Sequence, residues 1–69
     1  MSKILAVDIE REEDGRWIAE IPALPGVLAY GKDRSEALAR AEALALRVLA
    51  ERLENGEIVP ELTALFAAA

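Results

Sequence analysis

The feature that most constrains this chain is the short turn Glu13-Asp14-Gly15, set between two segments of alternating character. Residues 3 to 11 place Leu5, Val7 and Ile9 on one face and Ile4, Ala6, Asp8 and Glu10 on the other, the period of a half-buried strand. Gly15 is free to take the left-handed backbone that a hairpin loop of this length needs. Counting outward from that loop pairs Glu12 with Arg16, Ile9 with Ala19 and Val7 with Ile21. Val7, Ile9, Trp17, Ala19 and Ile21 then share a face. A loop shorter by one residue would set Ile9 against Glu20 and mix apolar with charged side chains, because a one-residue slip turns a strand over. The register therefore predicts Trp17 buried between the sheet and its cover, against Leu38, Ala41 or Ala45.

Pro22 and Pro25 end the second strand, since neither can donate to a ladder. Gly26 permits a reversal into a third strand, Val27-Leu28-Ala29-Tyr30. Val27 and Ala29 fall on the core face, which leaves Leu28 and Tyr30 beside Ile18 on the opposite one. Asp33 is a good N-cap, with Glu36 placed to complete a capping box. The helix that follows is expected from about Arg34 to Asn55, stopped by Asn55-Gly56. Leu38, Ala41, Ala45, Val48 and Leu49 form its central stripe. Ala37 and Leu44 flank that stripe on one side and Leu46 and Leu53 on the other, an apolar arc wider than one sheet face requires. An extended Glu57-Ile58-Val59-Pro60 leads to residues 61–67, a short amphipathic helix that would bring Leu62, Leu65 and Phe66 together, with Ala67 to Ala69 fraying. The expected fold is α+β: a three-stranded antiparallel sheet on one long helix (βββα) with a short C-terminal extension.

At 69 residues the chain makes one domain, residues 1–69, with no room for a second core. Without cysteine or histidine, neither a disulfide nor a His/Cys metal site can staple it. A hydrophobic fraction of 54% in so small a protein points to self-association, most simply as a dimer. The surface for it is expected among Leu46, Leu53, Leu62, Leu65 and Phe66. A net charge of −5 argues against nucleic acid as a direct ligand and for a basic protein partner. The N-terminus runs straight into a strand pattern without the apolar core of a signal peptide, and no apolar run reaches the roughly 18 residues of a membrane span. A cytoplasmic protein is expected.

Several motifs in fixed order resemble the HicB family, the antitoxin-like proteins of bacterial HicA/HicB toxin–antitoxin pairs. They are the Asp14-Gly15 turn before an aromatic, the Pro-x-Leu-Pro-Gly corner from Pro22 to Gly26, Gly31, the Glu36-Ala37-Leu38 helix start and the segment from Gly56 to Pro60. Together they cover residues 3 to 60. Ala23 stands where the family often carries an acidic residue. The resemblance implies a partial ribonuclease-H-like fold and a partner that is a small, basic HicA-like ribonuclease. Many family members add a DNA-binding module after this domain, and the chain is expected to be the solitary domain, meeting protein rather than operator DNA.

Asp8 sits on the first strand, where true ribonuclease H enzymes carry a catalytic acid, and Glu20 and Glu10 are near it. That chemistry needs several convergent carboxylates around two divalent ions roughly 4 Å apart. A solvated strand face is the simpler reading, so no catalysis, cofactor or metal is expected. The outer sheet face gathers Ile4, Ala6, Ile18, Leu28 and Tyr30 with Asp8 and Glu20 among them, a mixed apolar and acidic patch of the kind that marks a partner surface. Asp8, Ile18, Glu20, Leu28 and Tyr30 are the candidate partner-binding residues. The other reading is a solitary homo-oligomer of unknown regulatory role with no toxin partner.

Overall fold

The computed structural model describes residues 5–63, 65 and 66. Strands β1 (Asp8–Arg11), β2 (Trp17–Glu20) and β3 (Leu28–Gly31) are followed by helix α1 (Arg34–Glu54) and a single turn of helix, α2 (Pro60–Thr63). The strands form one antiparallel sheet in the order β1-β2-β3. The architecture is the expected βββα arrangement.

The hairpin takes the register set by the three-residue loop: Ile9 lies opposite Ala19 and Arg11 opposite Trp17. Glu12 donates its N–H to the Arg16 carbonyl at 2.7 Å, closing the ladder, and Gly15 turns the chain at φ 91. The Asp14 carboxylate fastens the loop, accepting from the Arg16 N–H at 3.0 Å and from its guanidinium Nε at 2.7 Å. β1 is shorter than the alternation over residues 3–11 implied. Leu5 to Val7 lie outside it, although Leu5 and Val7 still pack against the core. Ile4 lies outside the described residues, as do Ala64 and Ala67 to Ala69.

The corner after β2 is two successive turns, with Leu24 donating to the Ile21 carbonyl at 2.9 Å and Val27 to that of Leu24 at 3.0 Å. The prolines fix the path, and the leucine between them points inward. Leu24 is 1% exposed, among the largest fully buried side chains. β3 begins one residue later than expected and ends at Gly31.

α1 starts as its sequence specifies. Asp33 is extended and accepts from the Glu36 N–H at 2.8 Å. The Glu36 carboxylate reaches back to the Lys32 N–H at 2.9 Å, one residue before the cap. At the other end Asn55 is the C-cap, and Gly56 and Glu57 donate back to Leu53 and Arg52 at 3.0 and 2.9 Å, a Schellman closure. The buried stripe of α1 is Ala37, Ala41, Ala45 and Leu49. Ala37 is thus central rather than flanking, and Leu38 is half-buried beside it. The stripe is rotated toward small residues because α1 approaches β3 closely at Gly31. A Cβ built on Gly31 would lie 2.3 Å from the Ala37 backbone nitrogen.

The core has two parts. Ala19, Ala37 and Ala41 are packed by Val7, Ile9, Trp17 and Ala29. Ile21, Leu24, Val27, Ala45, Leu49 and Val59 are packed by Leu5, Val7, Leu44, Val48 and Leu62. Trp17 is on the inner face, as its register required, packed against the cluster of Ala19, Ala37 and Ala41. It is half-buried rather than enclosed, because the alanine end of the core offers no side chain large enough to cover an indole.

Candidate protein-docking surface

The outer face of the sheet is built from cross-strand rows. Asp8, Glu20 and Leu28 form one row and Glu10, Ile18 and Tyr30 the next. The five expected docking residues, Asp8, Ile18, Glu20, Leu28 and Tyr30, are therefore neighbours on one surface. Leu28 and Tyr30 are exposed at 39% and 36%, Asp8 and Glu20 are exposed and Ile18 is half-buried. Ala6 is exposed at the margin.

Charge is graded across these rows. β1 presents Asp8 and Glu10, β2 presents Ile18 and Glu20, and β3 presents Leu28 and Tyr30. One side of the face is acidic and the other apolar. Asp8 and Glu20 stand directly opposite each other, a like-charge pair that is mildly unfavourable to the sheet. Among the described residues no group of three or more His, Cys, Asp or Glu side chains is arranged to hold a metal ion.

Arg16 is a part of this surface that the sequence reading passed over. Its guanidinium lies 4.5 Å from the centre of the Tyr30 ring while Asp14 holds its Nε, so aromatic and carboxylate together fix the long side chain. The signal was available: Arg16 and Tyr30 share the outer-face parity and sit diagonally across β2 and β3. The Asp14 carboxyl is held below its ordinary value, chiefly by the backbone N–H of Arg16 and further by that residue's side chain.

The edges of the sheet differ. Because Glu12 donates to Arg16, the alternation of an antiparallel ladder points the backbone groups of Asp8 and Glu10 toward β2 and those of Ile9 and Arg11 outward. On the far side Ile21 donates to Val27 at 3.0 Å, which turns the backbone groups of Leu28 and Tyr30 outward. There Arg40 of α1 donates to the Tyr30 carbonyl at 3.2 Å and lies 3.6 Å from Glu36, capping one outward carbonyl of the β3 edge. No described group pairs with the outward backbone of Ile9 or Arg11.

Of the five apolar residues expected to drive self-association, Leu46, Leu62 and Leu65 line one groove, and Leu53 and Phe66 are exposed outside its lining. Leu46 and Leu53 are exposed on α1 at 59% and 50%, and Leu65 and Phe66 at 64% and 73%. Leu62 instead packs half-buried on the chain's own core, and Leu44 is covered as well. Leu62 and Leu65 stay neighbours, the first half-buried and the second exposed, and Phe66 is exposed beyond them. Leu62 and Leu65 line an open groove with Leu5, Leu46 and Leu49, rimmed by Glu42 and Glu61.

With fold and surface in view, the chain is a small α+β protein with a two-sided outer sheet face. It is 38% identical over 55 residues to UPF0150 protein Ta0767 of Thermoplasma acidophilum, an alignment covering 78% of each chain. The chain belongs to the UPF0150 family. No protein-family model and no solved structure matches it. Among the described residues no helix is long and apolar enough to cross a membrane.

Proposed function

We propose that this protein is a non-catalytic, cytoplasmic protein-binding module of the HicB antitoxin type, which sequesters a small basic HicA-like ribonuclease. Membership of UPF0150, a family that includes HicB-like antitoxin-type proteins, supports the reading, as do the turn, corner and helix-start motifs. The observation that carries it is the outer sheet face, where exposed Leu28 and Tyr30 adjoin the carboxylates of Asp8 and Glu20. Apolar area supplies affinity, and acidic groups favour a basic partner and hasten its approach. Inhibition would be steric, the acidic surface occupying the face with which the ribonuclease meets RNA. The chain's charge of −5 suits that partner and not nucleic acid itself.

The test is whether an adjacent reading frame encodes a short basic protein and, with that protein, calorimetric titration together with an assay of its RNA cleavage; the lack of any such neighbour would count against the reading. A defined complex with cleavage suppressed is expected, weakened at least about tenfold by Glu20→Lys or Leu28→Lys, the scale of one lost charge-assisted contact. An outer-face double variant that binds and inhibits like the wild type would sink the assignment.

A second reading is a homodimer without a toxin partner. The exposure of Leu46, Leu53, Leu65 and Phe66 favours it, since sharing that surface would enlarge the core of a chain this small. Sedimentation equilibrium at micromolar concentration decides it, and a single species near 7.5 kDa throughout would refute it.

A further inference from the structure

We infer that the edge of β1 that no described residue covers is a strand-addition site for a basic β-strand of the partner protein. The inference deepens the reading above, that the partner is a basic protein, and rests on it. The outward N–H and C=O groups of Ile9 and Arg11 are a ready template for another strand. At the opposite edge Arg40 already occupies one of the outward groups, the Tyr30 carbonyl. α1 packs mainly on β3 and β2 and least on β1, so the open edge is also the one farthest from the helix.

Charge decides the occupant. The side chains that β1 turns to the outer face are Asp8 and Glu10, continued by Glu12 beyond the strand. A second copy pairing antiparallel across a two-fold axis must match outward residues with outward residues. If Ile9 meets its own copy, Asp8 faces Glu10 twice. If the pairing shifts one way, Asp8 faces Asp8; shifted the other way, Glu10 faces Glu10 and Asp8 faces Glu12. Each register sets carboxylates directly opposite one another, which is unfavourable. The β1 edge therefore repels its own copy, and any self-association must use the other surfaces. A strand with Lys or Arg at alternate positions reverses every one of these contacts, while its other face lies beside Val7 and Ile9 on the apolar side. The like charges that disfavour edge-to-edge aggregation thus also select a basic strand.

The probe is an N-acetylated, C-amidated octapeptide of alternating lysine and valine, titrated into the full isotope-labelled chain. Binding at low salt is expected, with amide exchange of Ile9 and Arg11 slowed at least about tenfold at saturation. The same peptide N-methylated on alternate amides keeps its charge but not its ladder, and should not bind. A glutamate–valine peptide should not bind the wild type. Arg11→Pro removes one outward N–H at an edge position where proline is tolerated, and it also removes a positive charge. Charge attraction alone would make that variant bind the lysine peptide more tightly, so weaker binding supports strand addition. Binding of the lysine peptide with Ile9 and Arg11 exchange unchanged overturns the edge site while leaving the outer-face reading intact. Equal binding of the N-methylated peptide overturns it too. No binding of any basic peptide at millimolar concentration also overturns the edge site, whereas the outer-face reading falls only with the test set out for it above.

Discussion

The two ends of the inner face are packed on opposite plans. Near the start of α1 the interface is Ala19, Ala37 and Ala41 facing Gly31, with backbone brought close to backbone. Toward the end of α1 it is Ile21, Leu24, Val27 and Leu49, with Val59 returning from beyond the helix to join them. The first end is held by close approach and tolerates no added atom. The second is held by apolar volume and tolerates none removed. The same helix serves both because its stripe changes from alanine to leucine along its length.

Gly31→Val should show the largest effect. Its Cβ would meet the Ala37 nitrogen and Cα at 2.3 and 2.9 Å, and these are backbone atoms that cannot rotate away. Strand and helix would have to separate, at a cost at or above the top of the about 1–3 kcal/mol usual for overpacking. A domain this small has only about 3–5 kcal/mol from its core. Urea unfolding should lose its cooperative transition, and a transition of wild-type midpoint would show that the close approach is not required.

Next comes Leu49→Ala at the other end, which leaves a cavity among Ile21, Leu24 and Val59. Its expected cost is about 2–4 kcal/mol with an unchanged slope of the denaturation curve. If it cost no more than an exposed substitution such as Leu53→Ala, the volume-held end would be misassigned.

Trp17 reports on the first end. It lies against Ala19, Ala37 and Ala41 yet remains half-exposed, so its removal should cost about 2 kcal/mol, below the 3–5 kcal/mol of an enclosed aromatic. Native fluorescence should lie between the emission of buried and of free indole, with partial quenching by iodide. Complete protection from iodide would mean that another surface covers this end in solution.

How much of this contrast could be read beforehand follows from what each signal depends on. The hairpin register was legible because loop length and alternating polarity are local, and together they admitted only one pairing that separated Ile9 from Glu20. The outer face came with it, since the five proposed docking residues follow from parity alone. The exposure of Trp17 was not legible. It depends on the helix presenting Ala37 and Ala41 rather than Leu38 to the indole, and the rotation of α1 is set by contact with Gly31. Leu24 was passed over for a similar reason: between two prolines it reads as corner, and only the tertiary position of that corner makes it core. The burial of Leu62 beneath an exposed Leu65 and Phe66 likewise depends on where Val59 docks. The gradient of charge across the outer face needed the third strand's register, which rests on Ile21 pairing with Val27.

A smaller effect is expected at the helix cap on the same close-packed end. Asp33→Ala leaves the Glu36 N–H without its 2.8 Å acceptor and should cost about 1 kcal/mol. Asp33→Asn should retain most of the stability, because the amide oxygen can still accept. Equal losses in the two variants would show that charge at the helix terminus, rather than the hydrogen bond, is what Asp33 supplies.

The smallest effect lies in the turn that sets the register. Asp14 is fully exposed, and the Arg16 backbone N–H followed by its side chain holds the carboxyl below its ordinary value. The folded state thus binds this proton less readily than the unfolded chain. The contribution of Asp14 is fully present above the unfolded value and is lost as pH falls through the folded one. Exposure and salt screening make that contribution slight, so stability measurements alone are a poor readout. Carboxyl chemical shifts against pH are the direct one: Asp14 should titrate below an unstructured aspartate, and Arg16→Ala should raise its midpoint only partly, since the backbone N–H remains. Complete restoration in Arg16→Ala would assign the effect to the guanidinium instead. The Tyr30 ring resonances should move with the same midpoint in the wild type and not in Asp14→Asn, because Arg16 links the turn to the outer face through its stacking on Tyr30.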